Sequence, residues 1–372
     1  MQVKMKTWGR FFCLLVDNMK AGMNLTKRRQ KNRPHVFIYM IMLAVLLSGC
    51  GSEDNKQKET VNTDSDRIQI GMSFDSFVIE RWQRDRDVFV ATARELGAEV
   101  NVQSANGEIE EQISQIKYFI NKKVDAIVVV PIDAQALTEV VVKAKKAGIP
   151  VMCYDRLIKN ANTDLYISFD NEKVGDLMGR ALYDKLGKNR KIIEVCGPES
   201  DNNVEQVAEG FSYQSRKNAA QIIDTCHCEG WHSEIAYDYI ITHEDLVKKA
   251  DGIMCGNDAL AGVVIKALSE MRLAGDILVV GQDADLEACQ RIVEGTQEMT
   301  VYKPVENLAK TAAEYAVVLA KGEEVKTATR YNDGTYDVPF VKLQPIAVTA
   351  QNMDETIIAG GYHLKEDVYL NK

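Results

Sequence analysis

A regular alternation of short, almost wholly apolar runs with longer amphipathic stretches governs what this chain can fold into. Ile68-Gln69-Ile70-Gly71-Met72, Glu99 to Gln103, Asp125-Ala126-Ile127-Val128-Val129-Val130 and Pro150 to Tyr154 read as strands. Between them, Ile79 to Leu96, Ile109 to Asn121 and Ala134 to Ala147 carry apolar residues at helical spacing. Strands this apolar need cover on both faces, and helices between consecutive strands supply it. The pattern is therefore that of βαβ units on a parallel sheet.

The alternation then begins again. A link through Leu165 to Asp170 leads into a helix from Val174 to Leu186. Strands at Lys191–Cys196, Gly252–Cys255 and Ile277–Val280 alternate with helices at Val204–Lys217, Ala259–Met271 and Leu286–Glu294. After a strand at Met299–Tyr302, a helix from Asn307 to Ala320 returns to the first half. The expected fold class is α/β, with two doubly wound parallel-sheet lobes joined by a hinge. The first lobe is expected to hold residues 67–170 plus 304–337, and the second 171–303 plus 338–372. No repeat of solenoid type is present.

Ahead of these lobes the composition changes. The first 49 residues carry nine Lys/Arg and one acid, Asp17, which leaves about −17 of the whole-chain −9 for residues 50–372. The basic cluster Lys27 to Arg33 precedes a short apolar run, Val36 to Leu47, and then Leu47-Ser48-Gly49-Cys50. This order describes a secretory signal, and the run falls short of the roughly twenty apolar residues of a membrane span. Its last four residues resemble the lipobox of bacterial lipoproteins, in which the Cys, here Cys50, takes a diacylglyceryl group. Residues 1–49 are thus expected to be a signal peptide, with Met23 as a tidier start. Residues 50–66, polar and free of aromatics, are expected to be a lipidated tether. The location expected is the extracytoplasmic face of the cell membrane.

The acidity of the remainder excludes the basic face that nucleic acid requires. Its six cysteines form no small disulfide framework and read mainly as buried apolar residues. Cys226-His227-Cys228 lacks a second ligand pair at zinc-like spacing, so neither a metal nor a cofactor is expected.

In an open α/β sheet, ligands bind beyond the carboxyl ends of the strands. Those positions here hold Phe74-Asp75, Asp155-Arg156, Asp201-Asn202-Asn203, Asn257-Asp258, Gln282-Asp283-Ala284-Asp285 and Lys303. Asp and Asn also serve as turn and cap residues, the role expected of Asn202, Asp258 and Asp285 as readily as any other. As a set, carboxylates, amides, Arg and Lys contributed by both halves suit a neutral polyhydroxylated ligand, whose hydroxyls both donate and accept. Trp82, in a turn after the first strand, and Trp231, at a strand-to-helix junction, could offer flat apolar faces to a sugar ring. Nucleophile-elbow, dinucleotide, phosphate-loop and zinc-protease motifs are missing, and no enzyme is expected.

Several blocks closely resemble the periplasmic D-xylose-binding proteins of ABC sugar importers, of the type I periplasmic-binding-protein family. They are Glu80-Arg81-Trp82-Gln83, Val102-Gln103-Ser104-Ala105-Asn106-Gly107, Tyr154-Asp155-Arg156, the run Tyr166 to Gly175, Gly281-Gln282-Asp283-Ala284-Asp285 and Met299 to Pro304. The likeness runs from about Arg67 onward and weakens between Gln206 and Thr242. It implies a monosaccharide, D-xylose first, held between the lobes. Implied ligands are Arg81, Asp155 and Arg156 from the first lobe, and Asp201, Asn203, Trp231, Asn257 and Asp283 from the second. Lys303 would act near the crossover, with Trp82 as the opposing aromatic. Implied partners are ABC permease subunits, with the binding protein a lipid-anchored monomer. A sensor that presents bound sugar to a membrane kinase or chemoreceptor is the alternative. A transcription repressor on this fold would need a helix-turn-helix where the signal peptide stands.

Overall fold

A computed structural model describes residues 67–370; the signal peptide, Cys50 and the tether expected before Arg67 lie outside the described residues. Two sheets form. The first has the order β11-β12-β5-β4-β3-β1-β2 and the second β13-β10-β9-β8-β6-β7. In the first sheet the strands are β1 (Ile68–Phe74), β2 (Ala98–Ser104), β3 (Ala126–Val129), β4 (Val151–Tyr154), β5 (Leu165–Phe169), β11 (Thr329–Asn332) and β12 (Asp337–Leu343). In the second they are β6 (Lys191–Cys196), β7 (Gln221–His227), β8 (Gly252–Cys255), β9 (Leu278–Gln282), β10 (Met299–Tyr302) and β13 (Ile346–Val348). Pairing is parallel except at β11 with β12 and at β13 with β10. The doubly wound α/β expectation holds.

The reason is visible in the burial. β3, β4, β5 and β8 are buried at every residue, as strands covered on both faces must be. Helices Arg81–Glu95 and Val305–Ala320 pack together in the first lobe, and Asn171–Leu186 and Asn202–Lys217 in the second. Each lobe also has a separate apolar cluster: one around Ile127, Val151 and Phe340, the other around Ile292, Met353 and Ile357.

Two expectations need correction. Leu165 to Phe169 is not a bare link but β5, between β4 and β12. Residues 338–343 belong to the first lobe, because β12 pairs in parallel with β5 from Phe340↔Tyr166 to Leu343↔Phe169. The chain therefore crosses between lobes three times, at Asp170, at Lys303-Pro304 and at Gln344-Pro345. At the first crossing Asp170 caps the helix Asn171–Leu186 by accepting from Lys173 N, and pairs with Lys342 Nζ at 2.9 Å.

Candidate functional site

In each sheet the chain winds outward in both directions from one strand, β1 or β6, so the loops after neighbouring strands part and leave a crevice at the carboxyl ends. The two crevices face one another. Between them lies a cavity, and the ten ligand residues implied by the family resemblance all line it.

On the first-lobe side the structure is a set of clamped cations. Arg81, in the first turn of its helix, donates to both oxygens of Asp85 at 3.1 and 3.0 Å, and its Nη2 lies 3.0 Å from Asp155 Oδ2. Tyr154 donates its hydroxyl to the same Asp85. Arg156 donates to Asp75 at 2.7 Å and pairs with Asp201 of the second lobe at 2.7 Å. Trp82 lies within the helix, buried, and not in a turn. The guanidinium of Arg81 stands 4.5 Å from its ring centroid and that of Arg156 5.6 Å, so cations already occupy space over the ring.

The second-lobe side is assembled from helix starts and strand ends. Asp201 caps the helix Asn202–Lys217 by accepting from Asn203 N, while its other oxygen accepts from Trp231 Nε1 at 3.2 Å. Asn203 Nδ2 crosses to Asp155 Oδ1 at 3.0 Å. Asn257 caps the helix Asp258–Glu270 through Leu260 N at 2.9 Å. Lys303 Nζ is 2.7 Å from Asp283 Oδ1, an ion pair without aligned hydrogen-bond geometry. Asp258 lies behind this wall as support, accepting from Thr300 Oγ1 at 2.6 Å and Gln297 Nε2 at 2.8 Å. Asn202 is no cap, because Asp201 holds that position, and its buried Nδ2 has no partner among the described residues. Asp285 stands at the start of the helix Leu286–Glu294 without a side-chain cap bond.

Trp231 owes its place to two glycines that sequence reading passed over. A Cβ on Gly197 would sit 2.3 Å from the indole, and one on Gly256 would sit 3.2 Å from it. The ring thus lies directly on the ends of β6 and β8; at Gly197 the contact leaves no room for a Cβ, and at Gly256 a Cβ would displace the ring by a few tenths of an ångström. Gln282 and Asn171 also line the cavity and were not among the chosen residues. Gln282 stands at a strand end, and Asn171 follows β5 within the resembling run Tyr166 to Gly175.

Three cavity residues are held at positive φ: Asp155 at 64°, Trp231 at 61° and Asp283 at 104°. For side-chain-bearing residues such backbone costs roughly 1–3 kcal/mol each, and it is found where a site requires a particular aim. The electrostatics are uneven as well. Burial raises Asp155, but Arg81, Lys303 and Arg156 outweigh it and hold the carboxyl below its usual range. Burial dominates at Asp75 and Asp201, pushing both up despite Arg156. Four buried polar atoms around the cavity have no hydrogen-bond partner among the described residues: Trp82 Nε1, Asn203 Oδ1, Gln282 Oε1 and Asp283 Oδ1.

Five of the six cysteines among the described residues are buried, as expected, and Cys226 is half-buried. Among the described residues no helix is long and apolar enough to cross a membrane.

Residues 70–324 match a family model described as a periplasmic binding protein domain. The chain is 41% identical over 307 residues to the D-xylose-binding periplasmic protein of Haemophilus influenzae, covering 81% of this chain and 92% of that one. It is 42% identical over 308 residues to the D-xylose-binding periplasmic protein of Escherichia coli, with the same coverage. Among solved structures, an ABC transporter solute-binding protein from Clostridium phytofermentans with bound β-D-glucose superposes with a TM-score of 0.72. It is 26% identical, and the match covers 81% of this chain and 99% of that one.

Proposed function

The chain belongs to the periplasmic-binding-protein family, and on that premise we propose that it is the extracytoplasmic substrate-binding component of an ABC importer for D-xylose. The observation that carries this reading is the convergence of both lobes on one cavity with unpartnered buried donors and acceptors beside a glycine-seated Trp. A buried polar atom without a partner is costly, and sugar hydroxyls would relieve that cost. Every cation of the cavity already faces a carboxylate: Arg81 faces Asp155, Arg156 faces Asp201, and Lys303 faces Asp283. An anionic ligand would meet no free positive charge, whereas a neutral polyol can share all of these groups.

In this reading Arg81, Asp155, Arg156, Asp201, Asn203, Asn257, Asp283 and Lys303 bond the hydroxyls. Trp231 covers the C–H face of the ring, and Trp82 backs the two arginines. Bonds that form only when the lobes meet let the sugar shift an open–closed equilibrium, and a permease distinguishes the closed shape. The protein acts as a monomer and performs no chemistry on its ligand. Cys50 carries the lipid that keeps it at the outer face of the cell membrane; the sequence Leu47-Ser48-Gly49-Cys50 after an apolar run supports this. Trp fluorescence titration tests the binding reading. Xylose should change the emission with micromolar or tighter affinity, and no response to xylose, glucose, ribose or arabinose would refute it. Labelling with a radioactive fatty acid, compared between wild type and Cys50→Ala, tests the anchor.

A further inference from the structure

One wall of the cavity is tied to the opposite lobe by a relay that stays outside its interior. Asn171 lines the cavity at the start of its helix and donates Nδ2 to Gln206 Oε1 at 2.9 Å. Gln206, on the second-lobe helix Asn202–Lys217, donates Nε2 to the Tyr331 hydroxyl at 2.7 Å. Tyr331 belongs to β11, the edge strand of the first sheet, and its ring packs against Tyr166 and Phe340 with centroids 5.5 Å away in each case. A chain of hydrogen bonds thus runs from the cavity wall, across the rim, into the core of the other lobe.

Its geometry sets it apart from its neighbours on the same rim. Lys159 and Glu205 also meet across the lobes at 3.2 Å, but Glu205 is 76% exposed and Lys159 31%, so solvent screens the pair. The Gln206 amide, half-buried and neutral, uses both of its ends, and exchanging its oxygen and nitrogen would set two NH₂ groups against each other at Asn171. The Tyr331 ring is anchored among first-lobe aromatics, so its hydroxyl cannot follow Gln206 when the lobes separate. Any motion that carries Gln206 away from β11 therefore breaks this bond.

We infer that Gln206 and Tyr331 form a latch that sets the open–closed equilibrium, and through it the affinity and residence time of the sugar, without touching the ligand. The sugar part of this inference rests on the binding function proposed above; the latch itself does not. A contact present only in the closed state adds its net free energy to closure, and one neutral hydrogen bond corresponds to about a two- to tenfold change in Kd. The change should fall mainly on release, because the latch must open before the sugar leaves.

Tyr331→Phe removes the hydroxyl and keeps the packed ring; Gln206→Ala removes the partner. Stopped-flow Trp fluorescence with xylose and small-angle scattering of the ligand-free proteins read the outcome. We expect xylose to leave either variant about two- to tenfold faster, and the double variant to match Gln206→Ala. The ligand-free radius of gyration should rise, with the melting temperature of Tyr331→Phe unchanged. Release rates and ligand-free dimensions equal to wild type in both variants would overturn the latch. If the wild type bound no sugar, the functional reading would fall by itself. The ligand-free dimensions would then decide the latch: larger in the variants supports it, unchanged overturns it.

Discussion

The two walls of the cavity are built on opposite plans. The first-lobe wall is finished in advance: Asp85 grips Arg81 through two bonds, and Asp75 holds Arg156 at 2.7 Å, both carboxylates being buried. The second-lobe wall is left open. Asn203 Oδ1 and Gln282 Oε1 have no partner, and Trp231 lies on glycines. Among the described residues, Trp82 Nε1 is the one buried side-chain atom lining the first-lobe side without a hydrogen-bond partner. The difference separates two tasks. In the function proposed above, the first lobe supplies a frame of charge, and the second supplies the surface that a ligand completes.

If the first lobe is a frame, removing a clamp should damage the fold before it damages recognition. Asp85→Ala leaves the buried Arg81 with only Asp155 for its charge. We expect a loss of about 3–5 kcal/mol in chemical denaturation, the usual cost of orphaning a buried ion. A loss below about 1 kcal/mol would mean that Asp85 is no structural clamp.

The second lobe should behave in the reverse sense. Asn203→Ala removes an amide oxygen that has no partner and orphans no ion; it is expected to weaken xylose binding by about 30-fold with little change in folding stability. Titration calorimetry beside thermal melts separates the two effects. Equal losses of stability and affinity would erase the contrast between the walls.

A smaller effect tests the glycine seat. Gly197→Ala places a methyl group 2.3 Å from the indole, so the ring must lift into the cavity. About a tenfold loss of affinity is expected, since a displacement of this size spoils a fitted site. Retained affinity would show that Trp231 does not need this seat.

The smallest expected effect concerns pH. Burial pushes the Asp258 carboxyl, behind the second-lobe wall, up to about 7, with Asp283 adding to the rise and Thr300 and Gln297 opposing it. A pKa raised on folding gives stability that is full below the unfolded value and is lost as pH rises through the folded one. The ligand-free protein should therefore melt roughly 2–4 °C lower at pH 8 than at pH 6. Asp258→Asn should flatten that slope. Asp155, on the first-lobe side, has the opposite sign: its contribution is present above the unfolded value and lost as pH falls through its lowered folded one.

Much of this was legible in the sequence, and the reason is geometric. Parallel strands direct all their carboxyl ends to one side, so residues that follow separate strands, such as Asp155, Asp201, Asn257 and Asp283, could be gathered before any pairing was known. The strand order was not legible to the same degree. Leu165 to Phe169 is only five residues long and looked like a link, but it becomes a buried strand because β4 and β12 flank it. The lobe that β12 joins depends on β5, its parallel partner, and a five-residue strand inside an apparent link gives no sign of that pairing. Gly197 and Gly256 matter through a ring brought in by the next strand, which local pattern cannot reveal. The pairing of Gln206 with Tyr331 spans 125 residues of sequence and lies where the family wording fades.

In the proposed function these unlike walls close on a neutral pentose. Titration calorimetry of the wild-type protein with xylose, glucose, ribose and arabinose tests this most directly. One-to-one binding of xylose at micromolar or tighter affinity, ahead of the other three sugars, is expected. Absence of heat with all four would contradict it.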